Sequence, residues 1–416
     1  MRGWFGALQE REFRLLFLGQ SVSLLGDGVV AVALAFAVLD LTGSASDLGF
    51  VFAARTVPLV TLLLAGGVFA DRLSRRSVMV AADVARCSSQ GLTAALLISG
   101  QARIWELAAL QVVHGAATAF FNPASTGLIP MTVTPARLQQ ANGLRALSMS
   151  GASIAGPALG GLLVATVGAG WAMAADASSF AISAAFLVRL RLPAQDRMPA
   201  ESFVRELRDG WDEFRSRTWV WVFVTWAGLG NLGTSVFSVL GAAIARQSLG
   251  GAGAWALIIA ALGAGAVIGS VIAVHVRLRR PMASAALGLG SFALPVAALA
   301  LELPAPVIAA GALFAGTASM LANTLWETAL QRHIPATTLS RVSAYDWFGS
   351  MAFVPIGYAL AGPAGTAIGF ATTLWIVAGF FALSAPAVAA LPSVREIDES
   401  ESGPQRFARG TAVTRS

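Results

Sequence analysis

The sequence predicts an all-α membrane protein with about twelve transmembrane helices arranged as two six-helix halves. Hydrophobic residues make up 56% of the chain and charged residues only 12%, whereas soluble domains carry about 25% charged residues. Apolar runs of about 20 residues, the length that crosses a bilayer as a helix, recur along the whole chain. A sequence repeat relates the first half of the chain to the second. Together these observations predict a multi-pass protein with internal pseudo-symmetry.

The predicted spans are separated by short polar connections. They begin near Phe13, Asp47, Val78, Ile104, Gly143, Trp171, Trp219, Ala254, Met282, Pro306, Val342 and Thr366. Arginines cluster in the connections that follow the even-numbered spans, and the opposite connections carry few charges. Arginine-rich loops stay in the cytoplasm, so both termini are expected to be cytoplasmic. The net charge of +6 is therefore interpreted as a signal of orientation and not of nucleic-acid binding.

The repeat supports the division into two halves. The segment that begins at Thr126 resembles the segment that begins at Thr328, and aligning them pairs Gly156 with Gly357. Repeats of this kind form transport sites at the interface between halves. The predicted organisation is an N-terminal half (1–191), a cytoplasmic linker with an amphipathic helix (192–217), a C-terminal half (218–391) and a disordered cytoplasmic tail (392–416).

A charged turn, Gly66 to Val78, separates the second and third predicted spans, and we call it the clasp. Asp71, Arg72, Arg75 and Arg76 lie within six positions there. Such a density of charge is not compatible with the hydrocarbon of a bilayer. The clasp is therefore predicted to be a tight turn at the membrane surface.

The clasp sequence, GGVFADRLSRR, resembles the loop signature of the major facilitator superfamily, Gly-x-x-x-Asp-Arg-x-Gly-Arg-Arg, with Ser74 in place of the second glycine. The segments GDGVVAVALAFAVLDLTGS, AADVAR, AFFNPAS, ARLQQANGL and AADASSF resemble the branch that contains macrolide efflux pumps and siderophore exporters. The resemblance extends from Phe13 to about Leu391. It implies the major facilitator fold and secondary transport by alternating access.

The fifth predicted span carries a second signature, GASIAGPALGG. It resembles the antiporter motif of the superfamily at Gly156, Pro157, Gly160 and Gly161, with Ala152 at the preceding glycine. Small residues allow close helix packing, and proline bends a helix. The resemblance implies export, although glycine and proline also occur in any tightly packed membrane helix.

The resemblance also implies a gate at the cytoplasmic side. The expected gating residues are Gly67, Asp71, Arg72, Arg75, Arg76, Asp83, Arg86 and Asp346. Asp83 and Arg86 share a helix face because they are three positions apart, and we expect them in a charge network at the cytoplasmic mouth. By analogy with the family, Asp71 meets the start of the eleventh helix, and Asp346 meets an arginine of the clasp. The alternative role of these residues is simple anchoring of a loop.

Three intramembrane residues are candidates for proton coupling. Asp27 lies about 21 Å along the first span, where a carboxylate must pair, protonate or face water. Arg55 in the second span is its candidate partner, and His114 in the fourth span titrates in the physiological range in water. The alternatives are a structural ion pair and a packed core histidine. Gln111 stands where many proton-coupled members have arginine, so any coupling must use other groups.

The substrate-binding residues are not assigned by the sequence. Asn231, Asn323, Trp326 and Tyr345 are candidates, although a structural role is favoured for each. Asp176 is expected near the outer end of the sixth span, where it caps or packs. The scarcity of charges in the spans predicts a mostly apolar cavity and a hydrophobic or amphipathic substrate.

The chain lacks a Walker loop, a catalytic triad and a metal-ligand cluster, so it is not expected to be an enzyme or to use a metal. We expect no cofactor other than a proton gradient, no nucleic-acid partner, and a monomer in the lipid bilayer of the inner or plasma membrane. The predicted function is export of a drug-like, macrolide-like or siderophore-like molecule by proton antiport. The alternatives are an importer or lipid-handling transporter of the same fold, and a non-transporting membrane sensor.

Overall fold

The computed structural model describes residues 6–72, 74–192, 211–276, 278–395 and 397, with the side chains of residues 63–72, 336, 337, 340 and 341 outside the description. These ranges fold into helices without any strand. The spans are α1 (Arg11–Thr42), α2 (Ala45–Arg72), α3 (Arg75–Ile98), α4 (Ile104–Leu128), α5 (Leu138–Val167), α6 (Ala169–Val188), α7 (Thr218–Ile244), α8 (Ala252–His275), α9 (Pro281–Gly290 and Ala293–Ala300), α10 (Ala305–His333), α11 (Ala336–Met351 and Val354–Ile368) and α12 (Phe370–Ala389).

Eleven of the described helical spans are long and apolar enough to cross a membrane. The remaining span, α3, has 24 residues, which is also enough for a crossing. Its composition is more polar because it buries Asp83, Arg86, Ser89, Gln90 and Thr93 against its neighbours. The all-α membrane fold predicted from the sequence is confirmed.

Two spans that the sequence predicts as continuous are divided. The helix of α9 breaks at 291–292, and that of α11 breaks at 352–353. Pro295 and Pro355 lie just after these breaks, and proline has no N–H to donate to the carbonyl four residues earlier. The carbonyls of Ser291 and Met351 therefore lack a donor four residues later, and the Ser291 carbonyl accepts instead from the N–H of Leu294 over 3.0 Å.

The glycines that the repeat pairs occupy equivalent places in the two halves. Gly156 of α5 packs against Gly28 of α1, and Gly357 of α11 packs against the backbone of Leu232 in α7. Helices α1 and α5 of the first half thus correspond to α7 and α11 of the second. This correspondence is the pseudo-symmetry that the sequence repeat predicts.

The two faces of the bundle differ in how tightly the halves meet. The termini face carries the start of α1 and the end of α12, and the far face carries the connections at 43–44, 245–251 and 369. At the far face one hydrophobic core includes most of residues 29–39 of α1 and buried residues between Val236 and Ile244 of α7, so it spans both halves. At the termini face, the described residues form one core in each half, with no shared members.

The halves contact each other mainly through α2 with α11 and α5 with α8. At the far face an ion pair joins the end of α1 to the end of α7, with Arg246 Nε 2.9 Å from Asp40 Oδ1. The bundle is therefore closed at the far face, and its halves part toward the termini face.

Two predictions fall largely outside the described residues. The amphipathic helix is expected within the linker 192–217, of which residues 193–210 lie outside the description; residues 211–216 are described and are helical. Trp211 and Phe214 of that segment pack against the ring of Tyr345, with centroids 5.5 and 5.9 Å apart. In the predicted disordered tail (392–416), residues 392–395 are helical and Val394 is buried, while residues 396 and 398–416 lie outside the description.

Candidate functional site

A cavity of about 330 Å³ lies between the two halves, below the closed far face. This volume is within the range of about 300–1,000 Å³ typical of small-molecule sites. Its walls are formed by Asp27, Val30, Ala31, Phe52, Arg55 and Thr56 of the N-terminal half and by Ser238, Trp255, Ile259 and Tyr358 of the C-terminal half. Both halves thus contribute to one mixed aromatic and polar site.

An ion pair lies in the wall of this cavity. Arg55 Nη2 of α2 donates to Asp27 Oδ1 of α1 over 3.2 Å. The side chains are 26% and 31% exposed, respectively, so the pair is open to the cavity. A charged group that enters the cavity will compete for one of its members.

His114 lies on the buried side of the same ion pair. Its Nε2 is 3.8 Å from Asp27 Oδ1, and its side chain is fully buried. The ring meets Phe180 edge-on, with centroids 5.6 Å apart. Gly115 lets α4 approach the backbone carbonyl of Arg55 closely. The structure thus brings together the three residues selected as coupling candidates.

Asp83 and Arg86 lie deeper than expected. Arg86 Nη2 donates to Asp83 Oδ1, and both side chains are buried. The Arg86 guanidinium lies over the rings of Phe121 and Phe180, 3.9 and 4.4 Å from their centroids. The expectation of a charge network at the mouth is corrected for this pair, because its partners are interior groups of the N-terminal half.

The expected place of Asp176 is also corrected. Its side chain is fully buried, because α6 begins at Ala169 and places this residue two turns inside the bundle. Gln90 Nε2 donates to Asp176 Oδ2 over 2.9 Å, and Gln111 Nε2 donates to Gln90 Oε1 over 3.0 Å. The Asp176 carboxyl group therefore neither caps a helix nor contacts solvent; it is buried and accepts a hydrogen bond from Gln90.

The arginines of the clasp contact helix ends in their own half. Arg75 donates to the carbonyl of Gly127, near the end of α4, and Arg76 donates to the carbonyls of Leu187 and Val188 at the end of α6. Cations are favoured at helix C-termini, where carbonyls lack helical partners. The side chains of Gly67, Asp71 and Arg72 lie outside the described residues.

Asp346 is held within the C-terminal half in this conformation. Its Oδ2 accepts a hydrogen bond from Trp326 Nε1 over 3.1 Å. The structure therefore does not bring Asp346 to Arg75 or Arg76, because the two halves are apart at this face.

The glycines of the GASIAGPALGG segment serve two helix contacts. Gly160 faces the backbone of Val29 in α1, whereas Gly161 faces Ala252 and Ala256 of α8, in the other half. Pro157 lies inside α5, and the carbonyl of Ser153, which it leaves without a helical partner, lies against Gly263 of α8. The segment thus combines packing within one half with contact between halves.

The substrate candidates from the sequence are not among the cavity-lining residues. Asn231 donates to the carbonyl of Ser350, Trp326 is buried, Tyr345 packs on aromatic rings and Asn323 is exposed on the surface of the bundle. Apart from Asp27 and Arg55, the lining side chains were missed, because apolar and hydroxyl residues occur throughout the spans. Only the alignment of the helices shows which of them face the cavity.

Comparisons with known proteins agree with this architecture. A family model described as "Transmembrane secretion effector" matches residues 3–413. The multidrug efflux pump Tap of Mycobacterium tuberculosis (strain ATCC 25618 / H37Rv) is 28% identical, over 92% of this chain and 94% of Tap. Macrolide efflux protein A of Streptococcus pyogenes is 25% identical, over 48% of this chain and 50% of that protein.

Solved structures show the same fold. The nucleoside transporter NupG superposes with a TM-score of 0.73 at 14% identity, over 90% of this chain and 98% of NupG. A bacterial homologue of the iron transporter ferroportin, in an inward-facing state, superposes with a TM-score of 0.69 at 17% identity, over 93% of this chain and 98% of that one. With a family model that matches nearly its whole length, the chain belongs to the transmembrane secretion effector family of the major facilitator superfamily and is a multi-pass membrane transporter, not an enzyme.

Proposed function

We propose that this transporter is a proton-coupled exporter of hydrophobic or amphipathic small molecules in the cell membrane. The observation that carries the proposal is the cavity between the halves, whose wall combines the Asp27–Arg55 ion pair with Phe52, Trp255 and Tyr358. Aromatic walls accept apolar surfaces of varied shape, and a few polar groups orient the cargo. The efflux activity in the names of the relatives supports export of drug-like molecules.

The orientation belongs to the same proposal. Arginine-rich connections lie at the termini face, which supports placing that face in the cytoplasm. The cavity would then be inward-facing in this conformation and ready to take cargo from the cell interior. Rocking of the two halves about the cavity would deliver the cargo outward.

The gate of the termini face is part of this cycle. The residues proposed to hold it closed in the outward-open state are Gly67, Asp71, Arg72, Arg75, Arg76 and Asp346. Arg75 and Asp346 belong to opposite halves at this face, and the parted halves must approach each other here when the face closes. Asp83 and Arg86 support this gate from the interior of the N-terminal half.

Replacement of Asp27 by asparagine is expected to lower gradient-driven efflux at least tenfold, because Arg55 loses its partner and the cavity wall loses the anionic group through which a cationic cargo influences proton binding. The measurement uses inside-out vesicles and proteoliposomes with an imposed proton gradient. Ethidium and a radiolabelled macrolide serve as probes, and a pH dye reports proton movement.

Glu213→Gln is the matched control, since Glu213 also pairs with an arginine, Arg217, over 2.6 Å but lies outside the cavity and the contacts between halves. It should retain nearly full efflux. Substrate-driven proton movement that is equal in Asp27→Asn and in the wild type would remove Asp27 from the coupling mechanism. Accumulation of probe in right-side-out vesicles only would contradict export.

A further inference from the structure

The N-terminal half encloses a charge cluster whose acids outnumber its fixed cations. The carboxyl groups are Asp27, Asp83 and Asp176, and the fixed cations are Arg55 and Arg86. Arg55 pairs with Asp27, and Arg86 pairs with Asp83. Asp176 is the carboxyl group for which the described residues offer no cation in contact.

Asp83 and Asp176 are equally buried, but Asp83 accepts a hydrogen bond from the charged Arg86, whereas the donor to Asp176 is neutral. Its side chain is fully buried, and its Oδ1 has no hydrogen-bond partner among the described residues. Its Oδ2 accepts one bond, from Gln90, which is itself held by Gln111. Burial of an ionised carboxylate with one neutral donor is strongly unfavourable, and protonation removes that cost.

The titratable and charged groups around Asp176 come from four helices of the N-terminal half. They are Asp27 of α1, Arg55 of α2, Asp83, Arg86 and Cys87 of α3, and His114 of α4. Helix α5 also packs on α6, but its Arg145 lies away from this region, beside Phe13 and Gln20. The His114 ring is buried, and neither of its nitrogens has a hydrogen-bond partner among the described residues. A neutral His114 adds no positive charge to balance Asp176.

We propose that Asp176 is the proton-binding residue of the transport cycle, with Gln90 and Gln111 as positioning residues; this rests on the proposed proton coupling. One proton on Asp176 makes the cluster of three acids and two arginines electrically neutral. Gln111 and Gln90 fix the Oδ2 side of the carboxyl group. The Oδ1 side is left as the place where the proton is held and exchanged.

The geometry connects Asp176 to the cavity through α1. A Cβ built on Gly26 would lie 2.6 Å from Asp176 Oδ1, so this oxygen lies against the backbone of the residue that precedes Asp27. Asp27 is partly exposed in the cavity wall. A positive charge that displaces Arg55 from Asp27 increases the positive potential at Asp176 and favours release of its proton.

The first test is infrared spectroscopy of the purified full-length protein at neutral pH, as the difference between spectra taken in water and in heavy water. The carbonyl stretch of a protonated carboxyl group, identified by its shift on hydrogen–deuterium exchange, is expected in the wild type and in Asp27→Asn. It should be absent from Asp176→Asn, which keeps the size of the side chain and the bond from Gln90. Persistence of the band in Asp176→Asn, or its absence from the wild type, would overturn the assignment.

Gln111→Arg is a second variant that tests the charge count if Asp176→Asn fails to fold. A third fixed cation beside Gln90 should remove the band while Asp176 remains in place. An unchanged band would contradict the argument from charge balance.

Transport measurements separate this inference from the proposed function. In Asp176→Asn, ethidium efflux driven by a proton gradient should fall at least tenfold, and ethidium counterflow without a gradient should persist. Gradient-driven efflux that equals the wild type would overturn the role of Asp176 in coupling. Absence of both activities from the wild type would instead contradict the proposed function and leave the infrared result to decide where the proton is held.

Discussion

Replacement of Arg86 by methionine is expected to destabilise the protein by about 3–5 kcal/mol, because it leaves the buried Asp83 carboxylate without its partner. Both side chains are almost completely buried, and the guanidinium also contacts the rings of Phe121 and Phe180. Methionine replaces the volume and some of the ring contact but none of the charge. The measurement is the free energy of unfolding in mixed detergent micelles, followed by tryptophan fluorescence.

Two further variants distinguish loss of charge pairing from loss of packing as the cause of the destabilisation. Arg189→Met changes an exposed arginine and should shift the free energy of unfolding by less than about 0.5 kcal/mol. Replacing both Arg86 and Asp83 by apolar residues should restore more than half of the lost stability, because no uncompensated charge is then buried. Equal losses in the single and double variants would show that packing, not charge pairing, is responsible.

The fold was predictable because apolar length and arginine distribution are properties of local sequence. Even α3, whose polar residues place it below the hydropathy of the other spans, was recognised as an apolar run that starts near Val78. The division of α9 and α11 was missed, although Pro295 and Pro355 mark both sites. Proline lies inside other spans, such as Pro58 in α2, without dividing them, so its presence alone does not predict a break.

The site was predictable only in part because burial of charge depends on tertiary packing. Depth along the first and second spans was sufficient to select Asp27 and Arg55 as possible partners, and they lie 3.2 Å apart. The depth of Asp176 was misjudged, since its span begins two residues earlier than expected and the helix face that carries Asp176 packs against other helices of the N-terminal half. The separation of the halves at the termini face, where Asp346 bonds to Trp326 and not to the described side chains of the clasp, belongs to one conformational state, which a sequence does not specify.

Replacement of Gly362 by valine is expected to open the far face. A Cβ on Gly362 of α11 would overlap the backbone of Ala45 and Ser46 at the start of α2. This contact belongs to the α2–α11 interface between halves, and backbone cannot move aside as a flexible side chain does. The closed far face is therefore penalised, and a shift of about 1.4 kcal/mol changes the population ratio about tenfold.

The measurement is labelling of a single cysteine at Ser238, a cavity-lining position, after Cys87, the one native cysteine, is changed to serine. In whole cells an impermeant maleimide should label Ser238→Cys about tenfold faster when Gly362 is valine. Gly379→Val is the control, because a Cβ there meets no atom within 4 Å. An unchanged rate in a folded Gly362→Val protein would mean that the α2–α11 contact does not control access to the cavity from the far face. A faster rate confined to Gly362→Val would identify that contact as the outer gate and would place the cavity on the path that the cargo follows.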